Sequence, residues 1–254
     1  MEHGESSGAT TPGVREEKEK IGEEVIIEDK KRAARYRRGA AQANYMALDN
    51  PKLGYASKEV SRGMARPTEN DERKLKRLVR YLQHEHGVKY LYNWQESPKT
   101  IMGHADSDWA GCIRTRRSSS GGNLMLGSHL IAHWARTQVG VALSSGEAEL
   151  NAALKLGCEA IGLQVMAREL DIEMDIVLRG DSSAAKGTLA RQGSGKIKHL
   201  ETKQRWLQET VAKELVKYEK IPRERNHSDV LTHHWTGPEG EQHFKKMNIQ
   251  TVTY

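Results

Sequence analysis

Three features of the second half of this 254-residue chain predict an α/β fold built on a mixed sheet. Residues 100–106, 122–126 and 130–135 read as three short strands in meander order, parted by a polar turn over residues 114–120. A long helix from about Ser145 to Leu170 follows, opened by Ser144 with Glu147 three residues on, the spacing of a capping box. Beyond it, strand-like and helical stretches alternate. Antiparallel strands first and alternating elements afterwards describe one mixed sheet with helices packed on it.

The elements follow in order from the N-terminus. Residues 1–30 carry nine of the 34 acidic residues and four of the 40 basic ones, so the net charge of +6 divides into −5 for this stretch and +11 for the rest. Polar, Gly/Ser/Thr-rich and then Glu-rich, residues 1–30 are predicted to be a disordered acidic tail. Residues 31–97 form a mostly helical segment. It opens with a basic run from Lys30 to Arg38, turns at Asn50-Pro51 and resumes as a helix from Leu53 to Met64. Pro67-Thr68 with Asp71 predicts a second capping box, after which Leu75, Leu78, Val79 and Leu82 make one apolar face and Gly87 ends the helix. Lys74, Lys76, Arg77 and Arg80 fall on its other faces, as a solvated surface or a rail for nucleic acid. Val88, Tyr90, Tyr92 and Trp94 alternate as a strand would.

A second domain is expected over residues 98–254. In its long helix Leu150, Ala153, Leu154, Gly157, Ile161 and Val165 form the buried stripe. Then come a strand over residues 175–180, a short helix over 182–190, a break at Gly193–Gly195, a helix over 202–213, a strand over 215–221 and a terminal helix from Asp229. Trp109 and Trp134 are expected in the core, and His227 at the surface. His129/His133 and His233/His234 have no thiol or carboxylate partner at a zinc-like spacing.

Two cysteines, Cys112 and Cys158, without a repeated spacing argue against a disulfide framework or zinc ribbon, so a reducing compartment is expected, cytoplasmic or nuclear. No apolar run approaches the roughly 18 residues of a membrane helix, and the acidic start lacks the apolar stretch of a secretory signal. A basic body suits a polyanionic partner.

Four carboxylates stand at element ends. Asp106 closes the first strand of the second domain, with Asp108 on the same side of the extended chain. Glu149 lies near the start of the long helix, where Glu147 already serves the cap. Asp181 follows the fourth strand and Asp229 opens the last helix. Each has a plainer reading: Asp106 as a turn residue, Glu149 as a solvated rim, Asp181 and Asp229 as N-caps. Four clustered acids would repel one another, and two divalent cations would remove that cost. Hard oxygen ligands select magnesium or manganese, and a pair of such ions roughly 4 Å apart clamps an in-line phosphoryl displacement.

The runs His104-Ala-Asp-Ser-Asp-Trp-Ala-Gly111, Arg116-Arg-Ser-Ser-Ser-Gly121, Val141-Ala-Leu-Ser-Ser-Gly-Glu-Ala-Glu-Leu150, Arg179-Gly-Asp-Ser-Ser-Ala184, Lys198-His199 and Ser228-Asp-Val-Leu-Thr232 closely resemble, in order, the ribonuclease H domain of Copia-type LTR retrotransposon Pol polyproteins. Residues 36–92 resemble, more weakly, the segment that joins polymerase to ribonuclease H in those proteins. The resemblance implies a ribonuclease H-like fold, Asp106, Glu149, Asp181 and Asp229 as metal-binding and catalytic positions, and Asp108 as a neighbouring acid outside the ligand set. It also implies two Mg²⁺ (or Mn²⁺) ions, an RNA–DNA hybrid as substrate, and a polymerase domain as partner, since no paired-aspartate polymerase core is present. Arg116, Arg117, Lys198 and His199 are candidate contacts to the nucleic-acid backbone. The family usually has Thr at Gly146, Asn at Ser182, Thr at Ile197 and Lys at His233. A glycine in the first helical turn is expected to loosen that cap by up to about 1 kcal/mol.

The expected activity is hydrolysis of the RNA strand of a hybrid, leaving 3′-hydroxyl and 5′-phosphate ends, with the 2′-hydroxyl distinguishing RNA from DNA. The alternative is a catalytically inactive nucleic-acid-binding remnant of a Pol protein. A third reading makes the helices of residues 31–95 a protein docking unit.

Overall fold

The computed structural model describes residues 8–15, 25–85, 87–191 and 202–252. They form two compact units, one of Leu91–Thr232 with Lys246–Asn248, the other of Met1–Tyr90 with His233–Lys245 and Ile249–Tyr254. The dividing point after Tyr90 falls slightly before the boundary expected from sequence. Most of the stretch after Thr232, expected to close the second domain, is counted with the N-terminal residues.

The larger unit contains the predicted mixed sheet. Strands β2 (Thr100–Asp108), β3 (Ser119–Leu126), β4 (His129–Thr137), β5 (Asp175–Gly180) and β6 (Lys217–Lys220) lie in the order β4-β3-β2-β5-β6, where β1 (Val88–Tyr90) belongs to the other unit. The first three run antiparallel, while β5 is parallel to β2 and β6 to β5. Strand β2 is central, and its two ladders differ in length. It pairs with β3 from Ile101 to Asp108 but with β5 only from Thr100 to His104. Ala105 and Asp106 therefore project past the last rung with β5.

Helix α4 (Ser145–Arg168) packs on β2, β3 and β5, with α5 (Ser183–Leu189) and α6 (Thr202–Ala212) against it. Its N-cap Ser144 accepts from the Glu147 amide, and Glu147 in turn accepts from the Leu143 amide. Leu150, Ala153, Leu154 and Gly157 are buried as the stripe requires, but Val165 is 47% exposed. The steps 157–161–165 are four residues each, and every such step turns about 40° past a full revolution. Ala160 and Ala167 keep to the buried face instead.

In the other unit α1 (Lys30–Met46), α2 (Gly54–Arg62) and α3 (Glu69–His84) enclose a small core of Tyr36, Ala40, Ala43, Ala56, Val60 and Leu78. The predicted Thr68–Asp71 capping box opens α3, with both reciprocal bonds made. Val79, expected on the apolar face, is 43% exposed. The strand expected over residues 88–94 is cut to β1, which pairs antiparallel with β7 (Ile249–Thr251), and Trp94 is 90% exposed. Described parts of the acidic stretch are held in place. The Ile27 amide donates to Pro67 O, the Glu69 amide to Val25 O, and Arg77 to the Thr11 hydroxyl.

No continuous helix starts at Asp229. Asp229–Leu231 is a single 3-10 turn, and α7 (Gly237–Lys246) begins only at Gly237-Pro238, where proline suits a first turn. The polar side chains that would cap a helix at Ser228 serve long-range contacts instead. Among the described residues no helix is long and apolar enough to cross a membrane. Cys112 is buried, Cys158 is exposed, and neither forms a disulfide.

Candidate metal centre

The centre is assembled where β2 outruns β5. Asp106 sits on that projecting end, only 5% exposed, and its Oδ2 accepts from the Thr232 hydroxyl. Glu149, in the second turn of α4, reaches back to β2, where its Oε1 accepts from the Ser107 amide at 3.1 Å and the Ser107 hydroxyl at 2.9 Å. Asp181 follows the last residue of β5 and is partly exposed. One carboxylate oxygen from each of Asp106, Glu149 and Asp181 lies within 4.8 Å of the other two.

Asp229 is buried at the same edge, and its Oδ1 accepts from Arg223 Nε at 2.9 Å. Its negative charge acts on both Asp106 and Asp181. Four acids spread over 124 positions of sequence thus meet at one sheet edge, three within ligand distance of one another and the fourth beside them.

Electrostatics records the crowding. Burial pushes the Asp106 carboxyl above the usual carboxylate range; the Thr232 hydrogen bond opposes this, and the charges of Asp229 and Asp181 add to the rise. Glu149 is raised by burial first and by Asp106 next, against the stabilising bonds from Ser107. Asp181 is raised by burial and then by Asp229, with its own backbone amide, Arg223 and Lys220 opposing. The Tyr218 hydroxyl is likewise raised by burial and by the three carboxylates. Hard oxygen donors, half-dry and mutually repelling, form a set that fits a small divalent cation.

Arg116 and Arg117 lie on the exposed turn between β2 and β3, Arg116 with a φ of 54°. Lys198, His199 and Ile197 lie outside the described residues. Trp109 is 49% exposed rather than in the core, because its indole N–H donates to Ala142 O at the rim of the sheet. Trp134 is half-buried and packs over Gly122. His227, expected at the surface, is half-buried and stacked on His104 with ring centroids 4.4 Å apart. Burial and the neighbouring His227 hold His104 down at about 3, so it stays neutral.

Sequence reasoning missed Ser107, Arg223, Asn226 and the hydroxyl role of Thr232. Ser107 and Thr232 stood inside recognised motifs, which signalled their place without their bonds. Nothing local to Arg223 or Asn226 announces a partner.

A mixed five-stranded sheet in this order, with the long helix packed on it, is a ribonuclease H-like fold. The chain has homologues among the Pol polyproteins of plant retrotransposons. It is 30% identical over 192 residues to the retrovirus-related Pol polyprotein from transposon TNT 1-94 of Nicotiana tabacum, covering 74% of this chain and 14% of that one. It is also 40% identical over 116 residues to an uncharacterized mitochondrial protein of Arabidopsis thaliana, covering 45% and 46% respectively. The chain thus spans less than half the length of either relative. Among solved structures, ribonuclease H1 of Halobacterium salinarum aligns over 52% of this chain and 93% of its own, at 20% identity and a TM-score of 0.35. No protein-family model matches the chain.

Proposed function

We propose that the Leu91–Thr232 unit is a hybrid-specific ribonuclease, hydrolysing the RNA strand of RNA–DNA duplexes as one part of a reverse-transcription polyprotein. The observation that carries this reading is the approach of Asp106, Glu149 and Asp181 to within 4.8 Å of one another. Asp229 completes the set at one edge. Such a cluster is costly in an uncharged pocket and useful around cations.

When bound, a pair of Mg²⁺ or Mn²⁺ ions supplies the positive charge that acidifies the attacking water and offsets charge growing on the phosphate. Asp106, Glu149 and Asp181, with Asp229 beside them, would hold these ions. Ser107 and Thr232 each bond one oxygen, of Glu149 and Asp106 respectively, which leaves the other oxygen of each to serve a cation in this reading. Asp181 is partly exposed, and in this reading it meets the substrate from the solvent side. Arg116 and Arg117, on their exposed turn, are placed in this reading against backbone phosphates, together with Lys198 and His199. The helices of residues 31–97 are read as the link to a polymerase domain.

The Arg223–Asp229 ion pair favours the alternative of an inactive binding module, since a guanidinium already neutralises one of the four acids. Cleavage decides between them. With a hybrid labelled on its RNA strand, the full chain should cut in Mg²⁺ and fall silent in EDTA, and Asp181→Asn should lose at least about a hundredfold in rate. Binding without cleavage in either metal, or an unchanged rate for Asp181→Asn, overturns the nuclease reading.

A further inference from the structure

We infer that Asn226, Ser228 and Asn123 form a buried hydrogen-bonded clamp that sets the position of Asp229 against Asp106, and so controls how tightly this carboxylate cluster would hold a divalent cation; this rests on the nuclease reading above. All three side chains are fully buried at 0% exposure. Asn226 Nδ2 donates to Ala105 O at 2.8 Å, one residue beyond the last rung between β2 and β5. Its Oδ1 accepts from the Ser228 amide at 3.2 Å. The Ser228 hydroxyl donates to His104 O at 2.7 Å and accepts from Asn123 Nδ2 at 3.2 Å, while Asn123 Oδ1 meets His104 Nδ1 at 3.1 Å.

Two consecutive carbonyls of the strand that carries Asp106 are thus tied to the turn that carries Asp229. Burying three polar side chains is unfavourable unless each is paired, and an apolar plug would fill the same space at less cost. What directional bonds add is a single register. Asp106 lies one residue past Ala105, and Asp229 one residue past Ser228, so each tie acts next to a carboxylate. Gly121 on β3 allows the close approach: a Cβ there would come within 2.8 Å of Leu231 and Thr232 side chains and 2.9 Å of Ser228 O. These residues do not reach the reacting atoms and are positioning residues.

A merely structural role would lower stability without moving the metal dependence, and the test separates the two. The full chain and Ser228→Ala, Asn226→Ala and Gln208→Ala variants would be compared for thermal melting, calorimetric Mg²⁺ binding, and hybrid cleavage across a Mg²⁺ titration. Gln208 is also buried, at 5% exposure, but bonds to Thr188 O in another part of the unit. The clamp variants should need roughly tenfold more Mg²⁺ for half-saturation, in binding and in cleavage alike, with KM for the hybrid within about twofold and the rate recovering at high Mg²⁺ or with Mn²⁺. Ser228→Thr, which keeps the hydroxyl, should restore the metal dependence. Gln208→Ala should melt lower with its Mg²⁺ curve unmoved. Folded clamp variants with an unshifted Mg²⁺ curve, or an equal shift in Gln208→Ala, overturn the clamp and leave the nuclease reading standing. If one clamp variant does not fold, the other decides by the same two curves. A wild-type chain that neither binds Mg²⁺ nor cleaves overturns both.

Discussion

The carboxylates of the centre are held at odds with their preferred charge state, and this has a direction in pH. Asp106, Glu149 and Asp181 all have raised values in the folded protein, so the folded state binds protons more tightly than the unfolded chain. Their favourable contribution is full below the unfolded carboxylate range of about 4 and is lost as pH rises through the folded values. Metal-free protein in EDTA should therefore melt lower as the pH is raised from about 4.5 to about 8. Glu149→Gln should flatten that slope and raise the melting temperature at pH 8, and saturating Mg²⁺ should reverse the trend in the wild type. A metal-free slope of the opposite sign would mean these acids are paired by other means. Arg223→Ala removes a cation that competes for Asp229, so half-saturation should move a few-fold to lower Mg²⁺, read by calorimetry.

Among the elements, α4 shows most clearly how a residue can be read correctly in type and wrongly in effect. Gly146 suggested a loosened cap when only the helix was in view. A Cβ at this position would stand 2.9 Å from the Ala184 Cβ of α5, so the glycine permits two helices to approach closely. Restoring a family-like threonine should overpack this contact and cost about 1–3 kcal/mol, read from urea unfolding, although threonine alone in a helix is no worse than glycine. Ser144→Ala should cost about 1 kcal/mol through the lost cap. If Gly146→Thr proved neutral or stabilising, the close packing of α4 on α5 would be refuted.

For the whole molecule the division of charge matters more than the total. Setting residues 1–30 aside, the remainder carries +11, which suits a polyanion and predicts steep salt dependence. Hybrid binding in EDTA should weaken at least tenfold between about 50 and 200 mM salt if several phosphates are neutralised. A flat salt response would place recognition outside the basic surface. Thr11, Val25 and Ile27, all inside the acidic stretch, make specific bonds to the N-terminal unit, so part of this stretch belongs to the folded body.

The order of strands and helices was legible in the sequence because periodicity and caps are local: Ser144 with Glu147 and Thr68 with Asp71 open helices within a few residues of chain. The four acids were legible as candidates because each stands at an element end. Their meeting was decided by tertiary structure, through unequal ladders that leave Asp106 beyond β5 and a glycine at position 121 that lets the Asp229 turn lie on β3. The same cause turned the expected terminal helix into one 3-10 turn and brought His227 onto His104. Hydrogen bonds that could cap a helix locally went to backbone carbonyls more than a hundred residues away, and no short window of sequence records which partner a buried polar group will take.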